Sequence, residues 1–221
     1  MRHRLAIERP SESRAFVDEG LGRLQRSHWR PAAWAEFLGR CGIRSAMQAR
    51  AHPLAAIEVT ALHAGLGWLG WGGPGLAASW VLAMTHLGLL GSQRRSIGLP
   101  NLLSLLRANL PASRWTPLAA VGSDVLDGRL ARLATPTAFG AYADPLADVA
   151  FWTRYASASD SSRVLRAAVA ATWLLPLAAI VTGYFAAGRT IDYPRPLLVR
   201  RLSAAIQCLL AARALTGWSK E

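Results

Sequence analysis

Four aspartates lie close together in the sequence and are the residues best suited to chemistry. Asp124 and Asp127 are three residues apart, and Asp144 and Asp148 are four residues apart. Either spacing places two side chains on one face of an α-helix, so two facing helices would bring four carboxylates to one point. Each aspartate at the middle of a membrane helix costs roughly 2.5–3.5 kcal/mol. The pattern therefore predicts a compensating cation.

The ligand type narrows the choice of cation. Oxygen-only ligands favour Mg²⁺, Mn²⁺ or Ca²⁺ over zinc. Four carboxylates can hold one or two such ions, and two ions about 3.5–4 Å apart clamp a phosphoryl group during displacement. The two cysteines, Cys41 and Cys208, lie far apart, which argues against a zinc site or a disulfide framework. The aspartates therefore indicate a divalent-metal site of the kind that acts on phosphoryl groups.

The residues around the aspartates form a recognisable signature. Residues 124–132 read DVLDGRLAR, and residues 140–148 read GAYADPLAD. Together they resemble DxxDGxxAR followed by GxxxDxxxD, the signature of the CDP-alcohol phosphatidyltransferases, with all eight signature residues present. Residues 99–107, LPNLLSLLR, are similar to the PNxLTxxR stretch that often opens this domain. The resemblance covers about residues 98–217.

The resemblance implies a transferase and assigns its site residues. Family members move a phosphatidyl-type group from a CDP-alcohol, commonly CDP-diacylglycerol, to the hydroxyl of an alcohol or phosphorylated polyol, and CMP leaves. On this pattern Asp148 is both metal ligand and general base. Two ions, Mg²⁺ or Mn²⁺, would be held by Asp124, Asp127, Asp144 and Asp148. The residues implied beside the nucleotide are Gly128, Ala131 and Arg132, and the second motif begins with the glycine Gly140.

Three arginines outside the signature are candidates for binding an acceptor phosphate. A phosphorylated acceptor needs cations near the metal site, and the candidates are Arg107, Arg200 and Arg201. The alternative is that these arginines anchor the chain to anionic lipid on the cytoplasmic side of the membrane.

The elements that must position these residues are predicted to be membrane helices. Only 17% of the residues are charged, below the roughly 25% of soluble domains, and residues 59–93 contain no charge. Trp71-Gly-Gly-Pro-Gly forms a turn inside this run. We therefore predict a transmembrane hairpin within residues 53–92, with helices at about 54–71 and 75–91.

Further apolar segments follow in the region that carries the signature. Residues 167–188 contain no charge and form the clearest single span, and residues 133–152 and 197–217 are also apolar. The predicted fold is an all-α, polytopic transmembrane bundle with five or six spans. Residues 1–52 carry ten arginines and five acidic residues, which predicts a basic cytoplasmic segment, either interfacial or solvated. The expected location is the cell membrane, multi-pass, with the active site facing the cytoplasm.

Two other functions agree with parts of the sequence. The chain could be a catalytically silent scaffold or partner subunit, because seven residues separate Arg132 from Gly140 where the family pattern has eight. The interval between Arg107 and Asp124 is also short, at 16 residues. A net charge of +12 suits nucleic acid, but nine tryptophans and the uncharged run argue against it, so no nucleic-acid partner is predicted. The resemblance also implies a homodimer in contact with membrane lipid.

Overall fold

The protein is built from helices. A computed structural model describes residues 12–133, 137–159, 162–188 and 197–216. These residues contain nine α-helices and no strand, which confirms the predicted all-α class. The helices are α1 (Glu12–Arg26), α2 (Pro31–Ala51), α3 (Pro53–Leu66), α4 (Pro74–Thr85), α5 (Leu99–Asn109), α6 (Thr116–Leu133), α7 (Ala138–Ala158), α8 (Arg163–Ala187) and α9 (Leu197–Thr216).

One helix among the described residues is long and apolar enough to cross a membrane. This helix is α8, whose 25 residues extend about 37 Å, compared with a hydrocarbon core of about 30 Å. Only 11% of its most apolar stretch is buried, so most of the side chains in that stretch face outward. Helix α4 is also apolar, but its 12 residues extend only about 18 Å. The number of spans beyond α8 therefore stays a prediction.

The uncharged run turns back at a glycine-rich segment. Helix α3 continues into a wider helical turn, Gly67–Trp71, and α4 begins at Pro74. Gly70 has a φ of 81° and Gly73 a φ of 141°, backbone conformations that favour glycine over any residue with a Cβ. The two glycines thus allow α4 to return alongside α3.

A buried polar network joins this pair of helices to α5. His63 on α3 donates from Nδ1 to Val59 O at 2.8 Å, and its Nε2 lies 3.1 Å from Ser79 Oγ on α4. Asn109 on α5 donates to the same hydroxyl at 2.9 Å. Since each of these buried side chains has a partner, the network joins the three helices at little cost in desolvation.

Two apolar clusters hold α5, α6 and α7 together. The first cluster packs α3 and α4 against α5 and α7, and its buried members include Val59, Ala83, Leu105, Phe139 and Ala143. The second packs α6 and α7 against α8 and α9, and its buried members include Ala120, Phe151, Trp152, Val169 and Leu210. Helix α7 takes part in both clusters and is therefore the central helix of the described bundle.

The helices α1 and α2, which together are net basic, pack beside the end of α8. Glu19 on α1 binds Arg23 at 2.8 Å and Arg40 on α2 at 3.2 Å, and these guanidiniums lower the pKa of its carboxyl. The ring of Trp29, in the turn between α1 and α2, lies against that of Phe185 in the last turn of α8, with the ring centroids 6.2 Å apart and the planes tilted by 52°. The α1–α2 turn therefore lies at the same end of the bundle as the end of α8.

Candidate active site

Helices α6 and α7 bring the signature aspartates together. Asp124 and Asp127 are one helical turn apart on α6, and Asp144 and Asp148 are one turn apart on α7. The carboxylates of Asp124, Asp127 and Asp144 offer oxygens that all lie within 4.8 Å of one another. Asp148 stands outside this group of three and joins it through a shared arginine.

That arginine is Arg107 on α5, whose side chain has no exposed surface. Its Nη1 lies 2.7 Å from Asp127 Oδ2 and 3.5 Å from Asp124 Oδ1. Its Nη2 binds Asp144 Oδ1, and its Nε lies 3.0 Å from Asp148 Oδ1 without forming a hydrogen bond. The guanidinium therefore contacts all four aspartates. The sequence had suggested an acceptor phosphate as its partner, whereas the structure surrounds it with carboxylates.

The charges and oxygens of this cluster suit a hard divalent cation. Four carboxylates and one guanidinium leave three negative charges, which Arg107 alone does not neutralise. The contacts with Arg107 use one oxygen of each carboxylate, and a carboxylate has two oxygens with several lone pairs. Oxygens of this type are the preferred ligands of Mg²⁺ and Mn²⁺. The residues present thus fit the predicted metal.

The aspartates form one wall of an open cavity of about 830 Å³. This volume lies within the roughly 300–1,000 Å³ of ligand sites. The polar lining from α5, α6 and α7 includes Asn101, Ser104 and the four aspartates, and α9 contributes Arg200, Ser203 and Gln207. Arg94, which precedes α5, also lines it, whereas Arg201 is exposed outside the lining. Sequence reasoning had not selected Arg94, although Arg94-Arg95 stands out directly after the uncharged run.

Comparison with known protein families identifies the family to which the chain belongs. The model of the CDP-alcohol phosphatidyltransferase family matches residues 92–216, more than half of the chain. The chain belongs to this family. No curated protein sequence and no solved structure matches it. The family is membrane-integral, transfers phosphatidyl groups from CDP-alcohols and generally uses divalent metals. The resemblance seen in the sequence is thereby confirmed, and helices α1 to α4 lie outside the matched region.

The CDP-alcohol phosphatidyltransferase signature includes a glycine that the structure explains. A Cβ on Gly140 would lie 2.6 Å from Asn101 Oδ1, closer than carbon and oxygen can approach. Gly140 N donates to Thr137 Oγ1 at 2.9 Å, which caps the start of α7. The glycine therefore lets α7 approach α5 closely at the site.

A serine on α5 also faces the aspartates. Ser104 Oγ lies 3.3 Å from Asp127 Oδ2 and 3.4 Å from Asp144 Oδ1, and its single proton serves one of them at a time. Neither Ser104 nor Asn101 was assigned a role from sequence, although both lie in the stretch similar to PNxLTxxR.

The short spacer of the signature falls between two helices. Helix α6 ends at Leu133 and α7 begins at Ala138, and residues 134–136 lie outside the described residues. Most of the spacer thus belongs to the connection, so its length does not rotate Asp144 away from the α6 aspartates. The side chains of Ala131 and Arg132, expected beside the nucleotide, also lie outside the described residues. Gly128 lines the cavity.

Proposed function

We propose that the chain is an integral-membrane CDP-alcohol phosphatidyltransferase in phospholipid synthesis. It moves a phosphatidyl-type group from CDP-diacylglycerol to an acceptor hydroxyl and releases CMP. The single observation that carries this proposal is the convergence of four signature aspartates on Arg107 in the wall of an 830 Å³ cavity. A silent scaffold would have no need to keep four costly carboxylates together.

The reaction exchanges one phosphorus–oxygen bond for another. The acceptor oxygen attacks the phosphorus that carries the lipid, and the bond from this phosphorus to the CMP oxygen breaks with its electron pair. Asp148 takes the acceptor proton as the new bond forms. Two Mg²⁺ or Mn²⁺ ions, when bound, neutralise the negative charge of the diphosphate. Asp124, Asp127, Asp144 and Asp148 would hold them.

The remaining polar residues of the cavity are assigned to the two substrates. Gly128 leaves space for the nucleotide, and Ala131 and Arg132 follow it on α6. Arg200 lines the cavity, where it can bind the phosphate of a phosphorylated polyol, and Arg94 also lines it. Arg107 supports the aspartates instead of the acceptor, and exposed Arg201 contacts anionic lipid.

We further propose that the protein is multi-pass and that its cavity faces the cytoplasm. Arg200 at the start of α9 lines the cavity, and the contact of Trp29 with Phe185 places the basic α1–α2 pair beside the end of α8. Cytoplasmic segments are rich in arginine and lysine, which favours this orientation. We also propose a homodimer, which light scattering of the purified protein would test.

The test is CMP release from CDP-diacylglycerol by the full chain purified in detergent. A panel of alcohols and phosphorylated polyols is supplied with Mg²⁺ or Mn²⁺. We expect release that requires the metal and one acceptor. Asp148→Asn is expected to lower the rate at least about 10²-fold, because it removes the general base. Glu36→Gln, a change in an exposed acid on α2, is the matched control and should leave the rate unchanged.

Two results would count against the proposal. Full activity of a folded Asp148→Asn protein would remove its base from the mechanism. Mn²⁺ binding without CMP release from any CDP-alcohol would favour the scaffold.

A further inference from the structure

A carboxylate outside the matched domain binds the segment that leads into α5. Both carboxylate oxygens of Glu58 on α3 lie within hydrogen-bond distance of Ser96 Oγ, at 2.8 and 2.9 Å, and Oε2 accepts a hydrogen bond from Ile97 N at 2.7 Å. Two hydrogen bonds to backbone carbonyls nearby reinforce this attachment: His52 Nδ1 donates to Arg94 O, and Ala55 N donates to Arg95 O, both at 3.1 Å. The first half of α3 thus holds residues 94–97 in place.

A continuous chain of hydrogen bonds runs from this contact to the start of α7. Ile97, held by Glu58, accepts a hydrogen bond at its carbonyl from Asn101 Nδ2 at 2.6 Å. The same amide lies 3.3 Å from Thr137 Oγ1, and that hydroxyl caps α7 by accepting from Gly140 N at 2.9 Å. The chain therefore ties α3 to the beginnings of both α5 and α7.

These two helices carry the centre of the site. Arg107 lies on α5 ten residues beyond Ile97, and one to two turns beyond Gly140, α7 presents Asp144 and Asp148. A negative charge at the start of α5 also interacts favourably with the helix dipole. Glu58 thus binds the segment just before α5, at the end of that helix opposite Arg107.

We propose that Glu58 is a positioning residue for the aspartate cluster. It fixes α5 against α7 and thereby sets the arrangement of the four carboxylates around Arg107. The inference rests on the proposed function, because it takes these carboxylates as the metal ligands. It means that α3, upstream of the family domain, completes the active site of this protein.

The chemistry of the contact distinguishes two substitutions. Glu58→Gln keeps a carbonyl oxygen that can accept from Ile97 N and Ser96 Oγ, so it preserves the geometry and removes only the charge. Glu58→Ala leaves both donors without an acceptor in a half-buried site. Glu58→Gln should therefore preserve the hydrogen bonds to Ser96 and Ile97 that Glu58→Ala removes.

The experiment measures Mn²⁺ binding to the full chain in detergent, from the decrease of the free Mn²⁺ signal in electron paramagnetic resonance. We expect Glu58→Ala to weaken Mn²⁺ binding at least about tenfold and Glu58→Gln to stay within about threefold of wild type. The Mn²⁺ affinity of Ser96→Ala should lie between the affinities of these two variants. The matched control Glu36→Ala removes an exposed carboxylate that contacts Arg23 at 3.4 Å and should bind as wild type does.

The outcomes separate the two proposals. A folded Glu58→Ala protein with wild-type Mn²⁺ affinity would overturn this inference alone, since a purely structural contact would change the yield and not the affinity. If Glu58→Ala does not fold, Ser96→Ala decides: weakened binding supports the inference, and wild-type binding overturns it. A wild-type chain that binds no Mn²⁺ would overturn the proposed function and this inference with it.

Discussion

Replacing Arg107 with methionine removes the positive charge that lies among four aspartates. Methionine is unbranched and apolar, so the change removes the charge while keeping much of the packing. The lost contacts include those at 2.7 Å with Asp127, at 3.0 Å with Asp148 and at 3.5 Å with Asp124. The variant therefore tests whether Arg107 is the internal cation of the site.

The burial of Arg107 and its partners determines how much free energy of unfolding the variant should lose. Removing one partner of a buried ion pair costs about 3–5 kcal/mol, because the other charge stays buried without compensation. Arg107 is fully buried, but the side chains of Asp124 and Asp144 are 51% and 43% exposed, so water compensates part of their charge. We therefore expect the lower end, about 3 kcal/mol. For a chain of this size that corresponds to a decrease in Tm of about 6–12 °C in EDTA.

A divalent cation should compensate for the missing arginine. An ion at 100 times its Kd stabilises the folded state by about 2.7 kcal/mol, close to the expected loss. The variant site also carries one more negative charge than wild type, so its Kd for Mn²⁺ should be lower. Thermal unfolding in detergent, with EDTA and with Mn²⁺, should show a larger Mn²⁺-dependent rise in Tm for Arg107→Met than for wild type.

Arg154→Met is the matched control for this measurement. Arg154 donates to the backbone carbonyl oxygens of Ala108 and Leu110 at the end of α5, so these contacts involve peptide groups and not carboxylates. Its loss should lower Tm without changing the response to Mn²⁺. The reasoning is refuted if Arg107→Met melts at the wild-type temperature in EDTA, or if Mn²⁺ raises both Tm values equally.

Two further pairs of variants test the close helix approach and the acceptor site. Gly140→Ala would place a Cβ 2.6 Å from Asn101 Oδ1, so we expect a Tm at least several degrees lower and a large loss of CMP release. Gly122→Ala meets nothing within 4 Å on α6 and should raise stability by about 0.5–1 kcal/mol in the same unfolding assay. Arg200→Gln should raise KM for a phosphorylated acceptor about tenfold, and Arg201→Gln should leave it unchanged; equal effects in steady-state kinetics would contradict the assignment.

The sequence alone was sufficient for the family, the helical class and the pairing of the aspartates within each helix. Helix periodicity is a local property, so spacings of three and four residues suffice to pair Asp124 with Asp127 and Asp144 with Asp148. The uncharged run within α8 likewise identifies the helix that is long and apolar enough to cross a membrane, because that property depends only on length and composition.

Only the tertiary structure decided what surrounds each charge. Arg107 stood in the sequence as a candidate for an acceptor phosphate, together with Arg200 and Arg201, yet α6 and α7 surround it with their carboxylates. Glu58 meets its partners across 38 and 39 residues of chain, and nothing in its local sequence names them. Contacts between helices depend on the packing of distant segments, which a period of 3.6 residues does not encode.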